Sequence, residues 1–161
     1  MLNGISLKKK EEPGSDLDKE SIKDGDFFES DGMKYQVVNA VLGTVKLVKG
    51  KDTANITVYT VSYKEKQYKV TEISARAFEN CKKKLKKAVI GASVERIGGN
   101  AFKGCKKLKT VTVKGKSKLM KVGSGAFKKT SSKIQIKLPK NLKNHKKLKK
   151  QIKKAGISKI K

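Results

Sequence analysis

Apolar positions recur through the middle of the chain in two interleaved rhythms. One is a short alternation of apolar and polar residues, as in Ala88 to Ile90, Val111 to Val113 and Ile134 to Ile136. A period of two places alternate side chains on opposite faces of a strand, so Val111 and Val113 turn inward while Thr110, Thr112 and Lys114 turn outward. The other rhythm is a block ending in Ala-Phe. Val70, Ile73, Ala77, Phe78 and Cys81 are followed in register by Val94, Ile97, Ala101, Phe102 and Cys105, then by Leu119, Val122, Ala126, Phe127 and Thr130. The phenylalanines are 24 and then 25 residues apart, and Leu85 and Leu108 precede the first two alternating runs. The third run lacks that leucine.

A unit of this length supplies one strand and one turn, and it cannot bury its apolar face alone. It must stack, and the stacked strands then form a parallel sheet with a spacing of about 4.8 Å. The Ala-Phe pair is predicted to lie in a short helical turn on the other side, with Ala allowing close approach and the phenylalanines stacked as a ladder. Gly98, Gly99, Gly123 and Gly125 fall at the turn, where glycine is expected to supply positive φ.

Both ends depart from the repeat. Tyr35, Val37, Val45 and Leu47 alternate around the segment Asn39 to Gly43. This predicts a β-hairpin over residues 33–48, placed to cover the N-terminal edge of the repeat sheet. After Pro139, the residues Leu142, His145, Leu148, Ile152 and Ala155 form one helical stripe, with Gly156 as the stop and Ile157 and Ile160 as a short final strand. Residues 1–20 contain Pro13, Gly14, Ser15 and mixed charge, too polar to form a core. The predicted division is a flexible acidic tail over 1–25, an N-terminal β cap over 26–66, repeats over 67–138, and a C-terminal helical cap with a short strand over 139–161.

The block from Val94 to Leu108, with Ile97, Gly98, Ala101, Phe102 and Cys105 between, resembles the BspA-like leucine-rich repeats of bacterial surface proteins. The resemblance extends over roughly residues 56–138, with Ile56 to Tyr63 and Tyr68 to Thr71 similar to the usual lead into a first repeat. Thr130, standing where the other units have cysteine, marks an irregular last coil. The lysine-rich end through Ala155, Gly156 and Ile157 is similar to C-terminal segments of the family. The resemblance implies a β-rich α+β solenoid of about three repeats between a hairpin cap and a helical cap. It also implies a secreted or cell-surface protein that binds proteins and is not an enzyme.

Charge sharpens this picture. The chain of 161 residues carries 41 Lys+Arg against 14 Asp+Glu. Residues 1–31 hold nine acids and five lysines, a net of −4, and residues 32–161 hold five acids and 36 bases, a net of +31. Arg76 and Arg96 are the two arginines. Arginine is suited to bidentate reading of phosphate or guanine, whereas lysine is a mobile point charge. The lysines therefore fit diffuse attraction to polyanions, or they simply keep a repetitive protein soluble. No apolar stretch approaches eighteen residues, so no spanning helix is expected, and Met1 to Lys10 shows no signal peptide.

Candidate chemistry is sparse. Cys81 and Cys105 occupy equivalent positions, which admits a redox pair or half a metal site, but a small buried hydrophobe in each coil is the simpler reading. His145 fits the stripe of the terminal helix better than a Cys-His nucleophile. Clustered carboxylates occur only in the tail, and no Gly-rich phosphate loop with its Lys-Ser/Thr is present. No cofactor and no metal site are expected. Tyr35, Tyr59, Tyr63 and Tyr68 could stack on bases or sugars, with strand packing the alternative. The terminal helix could lie on an anionic membrane, but its apolar stripe is thin and favours a cap.

The expected binding surface is the outward face of the repeat sheet: Lys87 and Val89, then Thr110, Thr112 and Lys114, then Lys133, Gln135 and Lys137. Its polar centre and lysine edges suit a protein, an anionic glycan or a wall polymer. Non-specific nucleic-acid binding is the alternative partner class. A purely structural role in a larger surface assembly is the third reading.

Overall fold

The computed structural model describes residues 21–115, 121–140, 142, 145–157 and 159–161. The chain winds into a stack of about four coils, each passing through one sheet, a run of turns and a second sheet. In the first sheet, β3 (Thr44–Lys49), β6 (Lys66–Ile73), β8 (Arg96–Ile97) and β10 (Lys121–Val122) are parallel neighbours. In the second, β4 (Asn55–Val58), β7 (Lys87–Ile90), β9 (Thr110–Val113) and β11 (Gln135–Lys137) are parallel neighbours. Each coil therefore contains two strands, not the single strand expected. The second strand is two residues long in β8 and β10, too short to leave an alternation in the sequence.

The predicted hairpin is formed by β2 (Met33–Asn39) and β3, with β1 (Phe27–Ser30) added antiparallel to β2. It continues the first sheet through β3, so it does not cover the edge of the repeat sheet, where β4 lies outermost. A further strand, β5 (Thr60–Tyr63), pairs antiparallel with the start of β6. Of the expected tail, residues 1–20 lie outside the described residues; beyond them Ile22 packs on the core and the Gly25 N–H donates to Val37 O at 2.9 Å.

The core follows the repeat. Ile56 and Val58, Ala88 and Ile90, Val111 and Val113, and Ile136 point inward from the second sheet; Val45, Val70, Ile73, Ile97 and Val122 point inward from the first. Phe78, Phe102 and Phe127 stack between them with ring centroids 4.5 and 5.4 Å apart and planes within 7°. Such pairs contribute about 0.5–1.5 kcal/mol each beyond burial. The backbone of the turn side forms its own ladder. Gly50 N donates to Ala77 O (2.8 Å), Phe78 N to Ala101 O (2.9 Å) and Phe102 N to Ala126 O (2.8 Å).

The C-terminal segment closes this ladder by imitating one more coil. The helix α1 (His145–Lys154) buries Leu148 and Ile152. Phe127 N donates to Ala155 O at 3.0 Å, so Ala155 takes the place of a repeat alanine. The Gln151 side chain accepts from Val122 N at 2.8 Å, replacing the missing neighbour of β10. Ile160 forms a parallel bridge with Ile136, replacing the missing neighbour of β11. The helix stops in a Schellman arrangement, with Gly156 at φ 112, Gly156 N donating to Lys153 O and Ile157 N to Ile152 O.

The repeat glycines have a different role from the one expected. Gly125 does take positive φ (65°), but its equivalents are Asn100 (56°) and Arg76 (59°), while Gly98, Gly99 and Gly123 do not. A Cβ at Gly98 would come within 2.7 Å of Ser74 C, and one at Gly123 within 2.7 Å of Gly98 C. These glycines let successive coils touch backbone to backbone.

Candidate binding face

The outward face of the second sheet is set by register. Asn55, Lys87, Thr110 and Gln135 are partners across successive strands, and so are Thr57, Val89, Thr112 and Lys137. Six of the eight predicted face residues fall in these two rows, which also include Asn55 and Thr57. The strand of this first coil resembles a lead-in to the repeats, although Ile56 and Val58 carry the same alternation.

Lys114 lies one residue past β9, tied to the sheet by its N–H donating to Ile90 O at 2.7 Å. Lys133 lies in the turn before β11. It is exposed but lies outside the paired rows; extending the register by two residues aligns it with the buried Leu108 and Leu85.

A third row begins at Tyr59, which is 51% exposed. Its ring lies against Gly91, the residue after β7, where an added Cβ would also come within 2.9 Å of Val58 O. An exposed aromatic ring is thus held on a backbone platform at one corner of the face. The other three tyrosines pack: Phe28 stacks with Tyr63 at 4.3 Å and Tyr35 at 5.5 Å, with Tyr68 tilted at 5.5 Å. Burial, with Asp31 adding to it, pushes the Tyr35 hydroxyl up to about 12.

The cysteines are free and buried. Desolvation is the main cause that pushes Cys81 up to about 11 and Cys105 to about 12, which favours the protonated thiol near neutral pH. The Cys105 thiol donates to Phe78 O in the preceding coil at 3.4 Å. Thr130, at the equivalent position, satisfies its hydroxyl on Phe127 O at 2.8 Å. His145 opens α1 and is half-buried. Among the described residues, no group of three His, Cys, Asp or Glu could hold a metal ion, and no polar or charged residue is fully buried. No helix of the described residues is long and apolar enough to cross a membrane.

These coils define a leucine-rich-repeat solenoid. Residues 57–149 match the BspA type leucine rich repeat region, described as six copies, and the chain belongs to that family. A leucine-rich cell-surface protein of Faecalibacterium prausnitzii shares the fold, with a TM-score of 0.56 and 24% identity over 73% of this chain and 38% of its own. A leucine-rich repeat protein of Bacteroides ovatus has a TM-score of 0.50 and 22% identity over 71% of this chain and 38% of its own. The chain thus spans 38% of the length of either structure. No curated protein matches it in sequence.

Proposed function

We propose that this chain is a non-enzymatic recognition module of a secreted or cell-surface protein, binding a protein or an anionic matrix or wall polymer through the outward face of the second sheet. The observation that carries the reading is the register of Thr57, Val89, Thr112 and Lys137 beside the exposed Tyr59. Together they form a surface with polar centres, lysine edges and one exposed aromatic ring seated against Gly91. Aromatic anchors held in place before binding contribute most to recognition interfaces. Membership of a family whose structural neighbours include a cell-surface protein supports the location.

The test has two parts. Protease shaving of intact source cells should release peptides of this chain; recovery only after lysis overturns the surface location. Binding to immobilised matrix proteins should be lost in Tyr59→Ala and in Thr112→Tyr with Gln135→Tyr. Retained binding in both variants places the site elsewhere. The net of +31 over residues 32–161 supports non-specific nucleic-acid binding as the second reading. That reading predicts duplex binding that vanishes by physiological salt.

A further inference from the structure

The turn side of the solenoid carries a groove of about 500 Å³ that crosses three coils. Five cations line it: Arg76 and Lys82 from one coil, Lys103 and Lys106 from the next, and Lys129 from the third. Lys82 and Lys106 are equivalent positions, 24 residues apart, so stacking sets them one coil rise from each other. The phenylalanine rings beneath measure that rise at 4.5–5.4 Å. Two like charges about 5 Å apart repel by roughly 0.8 kcal/mol in water, and an anion lying between them replaces that repulsion with attraction.

The backbone of the groove is unusual. Arg76, Asn100 and Lys129 take left-handed φ of 59°, 56° and 58°. This conformation is unfavourable for a residue with a Cβ, and glycine serves the fold equally, as Gly125 does in the next coil. A long cation thus stands at Arg76 in a left-handed conformation that the following coils give to Asn100 and Gly125. Backbone strain of this kind clusters at ligand sites. Gly104 adds a flat surface on which the stem of Lys82 rests, with an added Cβ falling 3.5 Å from its Cε.

The remaining lining narrows the ligand. Asn100 offers an amide and Glu79 a carboxylate, groups that bond hydroxyls. Among the described residues no aromatic side chain lines the groove, so nothing there stacks a base. A ligand bearing both anionic groups and hydroxyls matches this mixture, whereas a DNA strand has no internal sugar hydroxyl for Asn100 and Glu79 to bond. We propose that the groove binds a segment of sulfated polysaccharide, at a site separate from the sheet face.

The test is calorimetric titration of the full chain at about 0.15 M salt, where diffuse attraction is screened. The probes are a heparin-derived hexasaccharide, its fully desulfated counterpart and an oligothymidylate of similar charge. The hexasaccharide should bind and the other two should bind at least about tenfold more weakly, as expected for lost charge-assisted hydrogen bonds. Lys82→Ala with Lys106→Ala should weaken hexasaccharide binding about tenfold or more. Lys146→Ala with Lys150→Ala, which removes the same charge from exposed positions of α1, should change it less than about twofold. Arg76→Gly should also weaken binding without lowering the melting temperature, which separates a binding role from a folding role. Thr112→Tyr should leave the affinity unchanged, so failure of the sheet-face reading does not decide this one. Equal losses in the two lysine pairs, equal binding of the oligothymidylate, or no hexasaccharide binding would each overturn the proposal.

Discussion

Replacing Gly98 by alanine tests the idea that the coils are held at backbone contact. The backbone at Gly98 does not require positive φ, so alanine is locally allowed. By chain entropy alone the change should stabilise the protein by about 0.4–1 kcal/mol. The structure predicts the opposite sign. The new Cβ would fall within 2.7 Å of Ser74 C and 2.8 Å of Ala75 Cα, both backbone atoms of the preceding coil. Normal carbon contacts begin near about 3.5 Å, so the coils must part by roughly 0.8 Å. Two coil-to-coil hydrogen bonds cross at that point, Gly98 N to Ile73 O at 2.7 Å and Arg76 N to Gly99 O at 3.1 Å. Parting the coils stretches both toward the limit of hydrogen bonding, and overpacking costs about 1–3 kcal/mol. Weakening these two hydrogen bonds, each contributing about 0.5–1.5 kcal/mol, adds to the overpacking and outweighs the entropic gain, so the net loss is about 1–2.5 kcal/mol. In a chain of this size each kcal/mol moves the melting temperature by about 2–4 °C, so a drop of roughly 2–10 °C is expected.

Gly99→Ala provides the control. Its Cβ would meet Ser124 O at 3.4 Å, an ordinary contact, so the entropic gain should survive and the melting temperature should hold or rise slightly. Scanning calorimetry of both variants, with urea denaturation to check that the m-value is unchanged, decides the matter. A Gly98→Ala protein as stable as the parent, or a Gly99→Ala protein that loses as much, would refute the reasoning.

Three further outcomes follow from the same structure. Gln151→Ala leaves the Val122 N–H at the end of the first sheet without the acceptor it now has at 2.8 Å, and should lower stability by about 1–2 kcal/mol in urea denaturation, while Gln151→Glu keeps the acceptor and should lose less. The raised thiol values of Cys81 and Cys105 mean that the folded state holds protons the unfolded state releases above about pH 9. Their contribution is therefore full below that pH and falls as pH rises toward about 11–12, so Cys81→Ala with Cys105→Ala should flatten the alkaline decline of stability measured by denaturation at pH 8 and 10. Salt or a polyanion should raise the melting temperature of a body with a net of +31, and a melting point indifferent to both would remove repulsion between stacked lysines from the account.

Where the sequence reading stopped short, the missing information was non-local. The strands β8 and β10 are two residues each, so no alternation marks them; neighbouring coils alone make them strands. Gln151 reads as one more polar residue in a lysine-rich helix, because its acceptor role exists only when α1 sits against the last coil. Tyr59 reads as a strand residue, and its ring lies where a side chain at position 91, 32 positions later in the chain, would stand. Leu119 and Met120, which open the third unit, lie outside the described residues.

The repeat is legible in the chain alone, because the spacing of Ile73, Ile97 and Val122 and of the three phenylalanines is a covalent fact that stacking must obey. The chain also determined which strand positions face the core, since a period of two leaves Val111 and Val113 no other side. Tertiary structure decided the rest. Whether Gly98 serves φ or contact, which sheet the hairpin extends, and how Ala155, Gln151 and Ile160 imitate a further coil all depend on what lies one rung away. That neighbour is set by three-dimensional stacking, and residues that meet across a rung are some 24 positions apart in the chain.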